Sequence, residues 1–196
     1  MDDNSAMRPV PSPALFCVLA AWVILGLATV IRRRPPKARE TQRGRGWAWG
    51  GALHTLSVAT LWAWPRTEPP HWLLSAIAIP LAAASVAVML ACQRTLGRQF
   101  AYQARLVEGH SLITSGPYRY VRHPIYTALF GLGLATGLVV SRWPVIPIFA
   151  VLYVAGTVIR IRSEERLLHA AFGAEFDDYA RRIPAFIPIP VRWCKL

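Results

Sequence analysis

IYTALFGLGLATGLVVSRWPVIPIFAVLYVAGTVI, residues 125–159, contains two apolar runs, 125–140 and 145–159, separated only by Ser141, Arg142, Trp143 and Pro144. Each run is short for an independent membrane span, which needs about 20 apolar residues. Together they read as a tight helical hairpin. Pro144 and Pro147 are tolerated in the first turn of its second helix, where a missing amide proton breaks no helical bond. Polar strips flank the open end of this hairpin: LITSGPYRYVRHPIYTA (residues 112–128) leads in and RIRSEER (residues 160–166) leads out. A cation or ring nitrogen is costly to bury at a bilayer boundary unless it is paired or solvated. The strips are therefore an interfacial anchor or a site, and as two ends of one hairpin they form a single candidate.

Three further apolar runs precede the hairpin, Ala14 to Ile31, Trp47 to Trp64 and Trp72 to Cys92. The expected fold is all-α, an integral membrane bundle of about five transmembrane helices. Apolar residues make up 54% of the chain, and its net charge is +12. That pairing excludes a disordered chain. Nucleic acid is the obvious partner for so basic a protein, but here the arginines lie between long apolar runs, where a lipid surface explains them better. Residues 1–94 then form a three-span scaffold, and residues 95–196 a core of polar connector, hairpin and tail.

Arg and Lys cluster in the segment after the first run (Arg32 to Arg45), after the third (Arg94 to Arg122) and in the tail (Arg160 to Lys195). The opposite side holds only Arg8, Arg66 and Arg142. The positive-inside rule places the N-terminus outside, and the C-terminus and both strips in the cytosol, with a bacterial inner membrane as the expected location. Asp2 and Asp3 precede the first run and the triple arginine follows it, so an uncleaved first span is expected. Cys17, Cys92 and Cys194 have no metal-like spacing, and no metal site is expected.

Within the strips, Ser115, Gly116 and Pro117 mark a sharp turn. Pro124 pushes His123 toward an extended conformation and starts the next helix, which offers Arg122, His123 and free amides at a helix N-terminus suited to an anion. Gly133 and Gly137 invite close packing of another helix. Leu167, Leu168, Ala171 and Phe172 form an apolar helical face that Gly173 ends or bends; Phe176, Tyr179 and Ala180 continue it on a second short piece. Ile183 to Val191 is broken by Pro184, Pro188 and Pro190, and is expected to lie at the interface or fold back over the site as a cover. In the scaffold, His54 is the one polar oddity, and for a lone histidine in such a run structural hydrogen bonding outweighs a functional role.

The combination GPYxxxRHPxY followed by EExxLxxxFGxxYxxY, in roughly Thr95 to Pro188, resembles the isoprenylcysteine carboxyl methyltransferase family and its wider group of integral membrane methyltransferases, which includes phospholipid methyltransferases. Ala128 departs from the pattern, which usually has glycine there. The resemblance implies S-adenosylmethionine bound from the cytosolic side in a pocket walled by hairpin and tail, and transfer of its methyl group to a lipophilic acceptor that enters from the bilayer.

The residue types suit such a cofactor. Arg122, His123 and amides near Gly116, Tyr118 and Pro124 can meet a carboxylate, Glu164 or Glu165 an ammonium, and Tyr118, Tyr126, Phe172 or Tyr179 an adenine or sulfonium. Successive helical residues point about 100° apart, so one glutamate is expected to contact the cofactor and the other to pair with Arg119, Arg160 or Arg162. The family pattern favours Glu165 as the ligand. Arg98 or Arg160 can position an anionic acceptor, and Glu164 can serve as a base where the acceptor needs one. Two alternatives stay open: an NAD(P)H-dependent membrane reductase resembling the sterol reductases, and a non-enzymatic lipid-binding membrane protein.

Overall fold

The computed structural model describes residues 11–31, 47–97 and 112–187, and these are all helix and connection, without a strand. Six helices follow in order: α1 (Pro13–Ile31), α2 (Trp47–Ala63), α3 (Trp72–Leu96), α4 (Pro124–Val140), α5 (Val145–Phe172) and α6 (Ala174–Arg182). The five apolar runs thus become α1 to α5. Three of them, α1, α3 and α5, are long and apolar enough to cross a membrane, while α4 is a shorter apolar helix. Large apolar side chains on their outer faces are exposed, including Phe16, Val23 and Leu27 on α1, Ile77 on α3 and Val151 on α5. A water-soluble bundle would bury such a surface; a bilayer solvates it.

Two cores share α4. On one side Val18, Ala21 and Leu25 of α1, with Ala78, Ala82 and Met89 of α3, enclose Ala128, Leu132, Ala135 and Val139. On the other, Leu61 of α2 packs with Phe149 and Tyr153 of α5 against Phe130 and Leu134. The two glycines that invite close packing supply it within the chain. A Cβ at Gly133 would collide with the Phe149 ring, and one at Gly137 would press on Leu61 and Ile146. The side chain of Trp22 donates to Thr136 Oγ1 at 3.0 Å, which fixes α1 on α4 where only apolar faces otherwise meet.

The apolar run 145–159 continues without a break through the polar strip, so α5 is one helix of 28 residues whose last turns extend past its apolar part. No helix-breaking residue lies between Ile159 and Phe172. Gly173, at φ 52°, ends it and α6 begins at once. Pro80 sits inside a continuous α3, which runs to Leu96 and is capped by Gly97. Arg98 and the rest of the connector to residue 111, the basic segment 32–46 and the tail from 188 lie outside the described residues.

Candidate functional site

Both strips lie at the same end of the bundle, and the backbone brings them into contact. Gly116 to Arg119 form one turn of 3-10 helix. Gly116 takes φ 58°, a left-handed conformation that favours glycine, and a Cβ there would press on Thr95 of α3. His123 is the N-cap of α4 and Pro124 its first residue. Opposite them, Glu164 and Glu165 project from the polar end of α5.

The two glutamates converge on one imidazole. His123 Nε2 lies 3.1 Å from Glu165 Oε1, and Nδ1 lies 3.4 Å from Glu164 Oε2. Adjacent carboxylates diverge around a helix, but a ring with nitrogens on two edges spans that divergence when it stands between them. Arg122 meets Glu165 Oε1 through Nε at 2.8 Å and NH2 at 2.7 Å. Glu164 accepts from the Tyr126 hydroxyl, and Arg160 lies 4.0 Å away on the same helix. Arg160 Nε also donates to Tyr126 Oη at 2.8 Å. The expected pairing of one glutamate with Arg119, Arg160 or Arg162 therefore involves Glu164 and Arg160.

His123 is buried, and burial disfavours its charged form. Hydrogen bonds and charges from Glu164 and Glu165 outweigh that penalty and hold its pKa above the ordinary value. Glu165, beyond the apolar part of α5, shows the converse. Burial would raise its pKa, but His123 and Arg122 pull it below the ordinary carboxylate value. Both shifts describe one charged pair, His123 cationic and Glu165 anionic. The side chains of Glu164 and Glu165 keep 21% and 25% exposure, so both stay within reach of a ligand.

The tail forms a strap across the first strip. The amide of Arg122 donates to Pro184 O at 2.8 Å, that of His123 to Ala185 O at 2.9 Å, and the Thr127 hydroxyl to Phe186 O. Arg122 NH1 donates to Ala180 O at 2.8 Å and to Ile183 O. Phe186 packs edge-on to Phe130. Of the two placements expected for this segment, residues 184–186 take the cover. Tyr179 of α6 pins the 3-10 turn by donating to Tyr118 O at 2.6 Å, and both tyrosines are buried.

Gly116, Tyr118, Arg122, His123, Pro124, Tyr126, Arg160, Glu164, Glu165 and Tyr179 thus share one end of the bundle, while Arg98 lies outside the described residues. Residues not anticipated from the sequence join them. Tyr153 donates to Tyr126 O at 3.0 Å, Thr157 bonds to His54 Nε2 at 2.9 Å, and Ser163 Oγ is buried with no hydrogen-bond partner among the described residues. The available signal was spacing: Tyr153, Thr157, Arg160 and Glu164 recur every three or four residues on one face of α5.

An all-helical bundle with apolar outer faces, whose central hairpin ends in a buried ion cluster, defines a class of integral membrane protein with a site at one end of its spans. Residues 76–170, a segment that contains the hairpin and both strips, match the Isoprenylcysteine carboxyl methyltransferase (ICMT) family. The nickel-cobalt-cadmium resistance protein NccN of Alcaligenes xylosoxydans xylosoxydans is 46% identical over 81 residues, which cover 39% of this chain and 36% of that protein. Protein-S-isoprenylcysteine O-methyltransferase of Mus musculus is 33% identical over 133 residues, covering 64% of this chain and 44% of the relative. Protein-S-isoprenylcysteine O-methyltransferase B of Arabidopsis thaliana is 30% identical over 121 residues, 60% of this chain and 61% of the relative. The chain therefore spans less than two thirds of the length of each.

Proposed function

We propose that this protein is a membrane-embedded methyltransferase that uses S-adenosylmethionine and acts on a lipophilic acceptor. The observation that carries the reading is the cluster of Glu164 and Glu165 on His123 at the end of the hairpin, within the segment matched to the family. Two of the three relatives named above are protein-S-isoprenylcysteine O-methyltransferases, which supports methyl transfer and leaves the acceptor to experiment.

The side chains fit the cofactor's chemistry. Two partly exposed carboxylates suit its ammonium, the Tyr126 ring lies beside Glu164, and among the described residues the buried Ser163 hydroxyl has unmet hydrogen-bonding capacity. Glu165 is the proposed ligand to the ammonium. His123, with Arg122 and Pro124, holds that carboxylate in place, and Gly116 and Tyr179 set the turn carrying Tyr118. When bound, S-adenosylmethionine supplies an electrophilic methyl group on a sulfonium.

The chain's own task is then alignment and exclusion of water. The strap of residues 184–186 covers the strip on one side, and an acceptor reaches the site between helices from the bilayer. Arg160 is suited to orient an anionic acceptor. A carboxylate acceptor needs no base, while a phenol, thiol or ammonium has Glu164 at hand. Arginine distribution supports a cytosolic position for this end of the bundle, on the side where the cofactor is found.

Thermal unfolding of the detergent-solubilised protein tests the reading. S-adenosylhomocysteine at a hundred times its Kd is expected to stabilise the fold by about 2.7 kcal/mol, Glu165→Gln to lose most of that, and NADPH to do nothing. Stabilisation by NADPH alone would favour the reductase, and by neither ligand the lipid-binding protein. Mass spectrometry of lipid extract incubated with isotopically labelled S-adenosylmethionine then identifies the acceptor.

A further inference from the structure

His54 stands in α2, outside the segment that matches the family, yet it reaches the site. Its ring stacks on Tyr153 with centroids 4.4 Å apart and planes 16° from parallel, and it lies 5.7 Å from the Tyr126 ring. Nε2 is 2.9 Å from the Thr157 hydroxyl. Both partners belong to the α5 face that continues to Arg160 and Glu164.

One turn earlier on α2, Gly50 and Gly51 form a notch through which the Arg160 side chain passes. A Cβ at Gly50 would collide with Arg160 Cγ, and one at Gly51 would sit 3.6 Å from NH1. On the facing helix a Cβ at Gly156 would come within 2.9 Å of both Gly50 O and His54 Cδ2. The two helices therefore meet at backbone distance, and the ring of His54 and the stem of Arg160 fill the space on either side of that contact.

Tyr126 is where these contacts meet. Its hydroxyl accepts from Arg160 and donates to Glu164, its carbonyl accepts from Tyr153, and its ring is flanked by His54, by His123 at 6.0 Å and by the Arg160 guanidinium at 5.4 Å. We propose that His54 is a positioning residue of the site: from α2 it fixes Tyr153 and Thr157, and through them the Tyr126, Arg160 and Glu164 group that faces the ligand. This rests on the methyltransferase reading above. It also makes α2 a wall of the site rather than scaffold.

The test uses the full chain in lipid nanodiscs, with His54→Ala, His54→Gln, Gly50→Ala and, as control, Gly26→Ala, whose added methyl meets nothing within 4 Å. Three quantities are read: the Kd for S-adenosylhomocysteine, the Tm of the unliganded protein, and the Arg160 Nε–H resonance in 15N-arginine-labelled protein. Small misplacements of site groups weaken function by up to about a hundredfold. His54→Ala and Gly50→Ala are expected to shift or broaden the Arg160 resonance and weaken binding about tenfold. His54→Gln, which can still reach the Thr157 hydroxyl, should recover most of the affinity, and Gly26→Ala should match wild type.

An unchanged Arg160 resonance in His54→Ala overturns the proposal, as does wild-type affinity in that variant. Equal losses in His54→Ala and His54→Gln that track a fall in Tm would reduce His54 to helix packing and overturn it too. Wild-type protein that fails to bind S-adenosylhomocysteine sinks the methyltransferase reading instead, and the Arg160 resonance then still decides whether His54 positions that group.

Discussion

The two ends of the α4–α5 hairpin use polar groups in opposite ways. At the tight end, the bonds serve the backbone. Arg66 N donates to Val140 O at 2.8 Å, Arg142 N to Trp64 O at 3.1 Å, and Ser141 Oγ to Leu61 O at 2.7 Å. The last of these has a clear cause: the residue four beyond Leu61 is Pro65, which has no amide to offer that carbonyl. At the open end the bonds run between side chains, joining a buried histidine and two largely buried arginines to two partly exposed carboxylates. A hairpin needs only the first kind of contact to stay folded. The second kind costs desolvation, which folding of the hairpin alone does not require.

Breaking the open end should cost most. Arg122→Ala removes the cation of Glu165 and the ties to Ala180 and Ile183 together, and about 3 kcal/mol of stability is expected to go with it. Chemical denaturation measures the loss, and limited proteolysis should show faster cleavage near residues 183–187. An equal loss from Arg142→Ala, whose guanidinium stacks on the exposed Trp64 ring at 5.3 Å, would contradict the contrast between the ends.

The open end should also respond to pH where the tight end does not. His123 titrates above its ordinary 6.5 in the folded protein, so its contribution is complete below that value and lost as pH rises through the raised one. Glu165 titrates below its ordinary 4.5, so its contribution is present above 4.5 and lost as pH falls through the lowered one. The cluster is therefore most stabilising between pH 4.5 and 6.5. The Tm difference between wild type and His123→Asn should be largest near pH 6 and shrink as pH rises through the raised value, and a difference flat in pH would mean that His123 is neutral in the fold.

The smallest effect sharpens the tight end. Ser141→Ala leaves the Leu61 carbonyl without a donor in a buried position and should destabilise by about 1 kcal/mol. It should leave S-adenosylhomocysteine affinity alone, and a change in affinity would show that the two ends communicate along the hairpin.

Much of this was legible in the chain. Run lengths, the Ser141 to Pro144 break and the Pro124 helix start are local signals, and they place α1 to α5, the hairpin and the strip. Gly173 marked the end of α5 because a left-handed residue there needs no Cβ. The apolar run ends at Ile159 while the helix continues to Phe172, since a change from apolar to polar composition signals where a membrane ends and says nothing about where a helix does. The convergence of both glutamates on His123 was likewise hidden, because helix periodicity gives the direction of a side chain but not the position of the ring it meets.

Sequence alone determined the all-helical membrane bundle, its α4–α5 hairpin and the residue types of the site. Hydrophobic period, proline and glycine act over a few residues and do not depend on neighbours distant in the chain. Only the tertiary structure decided which groups meet: the strap across Arg122 and His123, and His54 of α2 against Tyr153 and Thr157 of α5. Those contacts join residues about 60 to 100 positions apart. Their geometry depends on helix crossings set by small residues such as Gly50, Gly133 and Gly156, and no local pattern encodes how closely two backbones will approach.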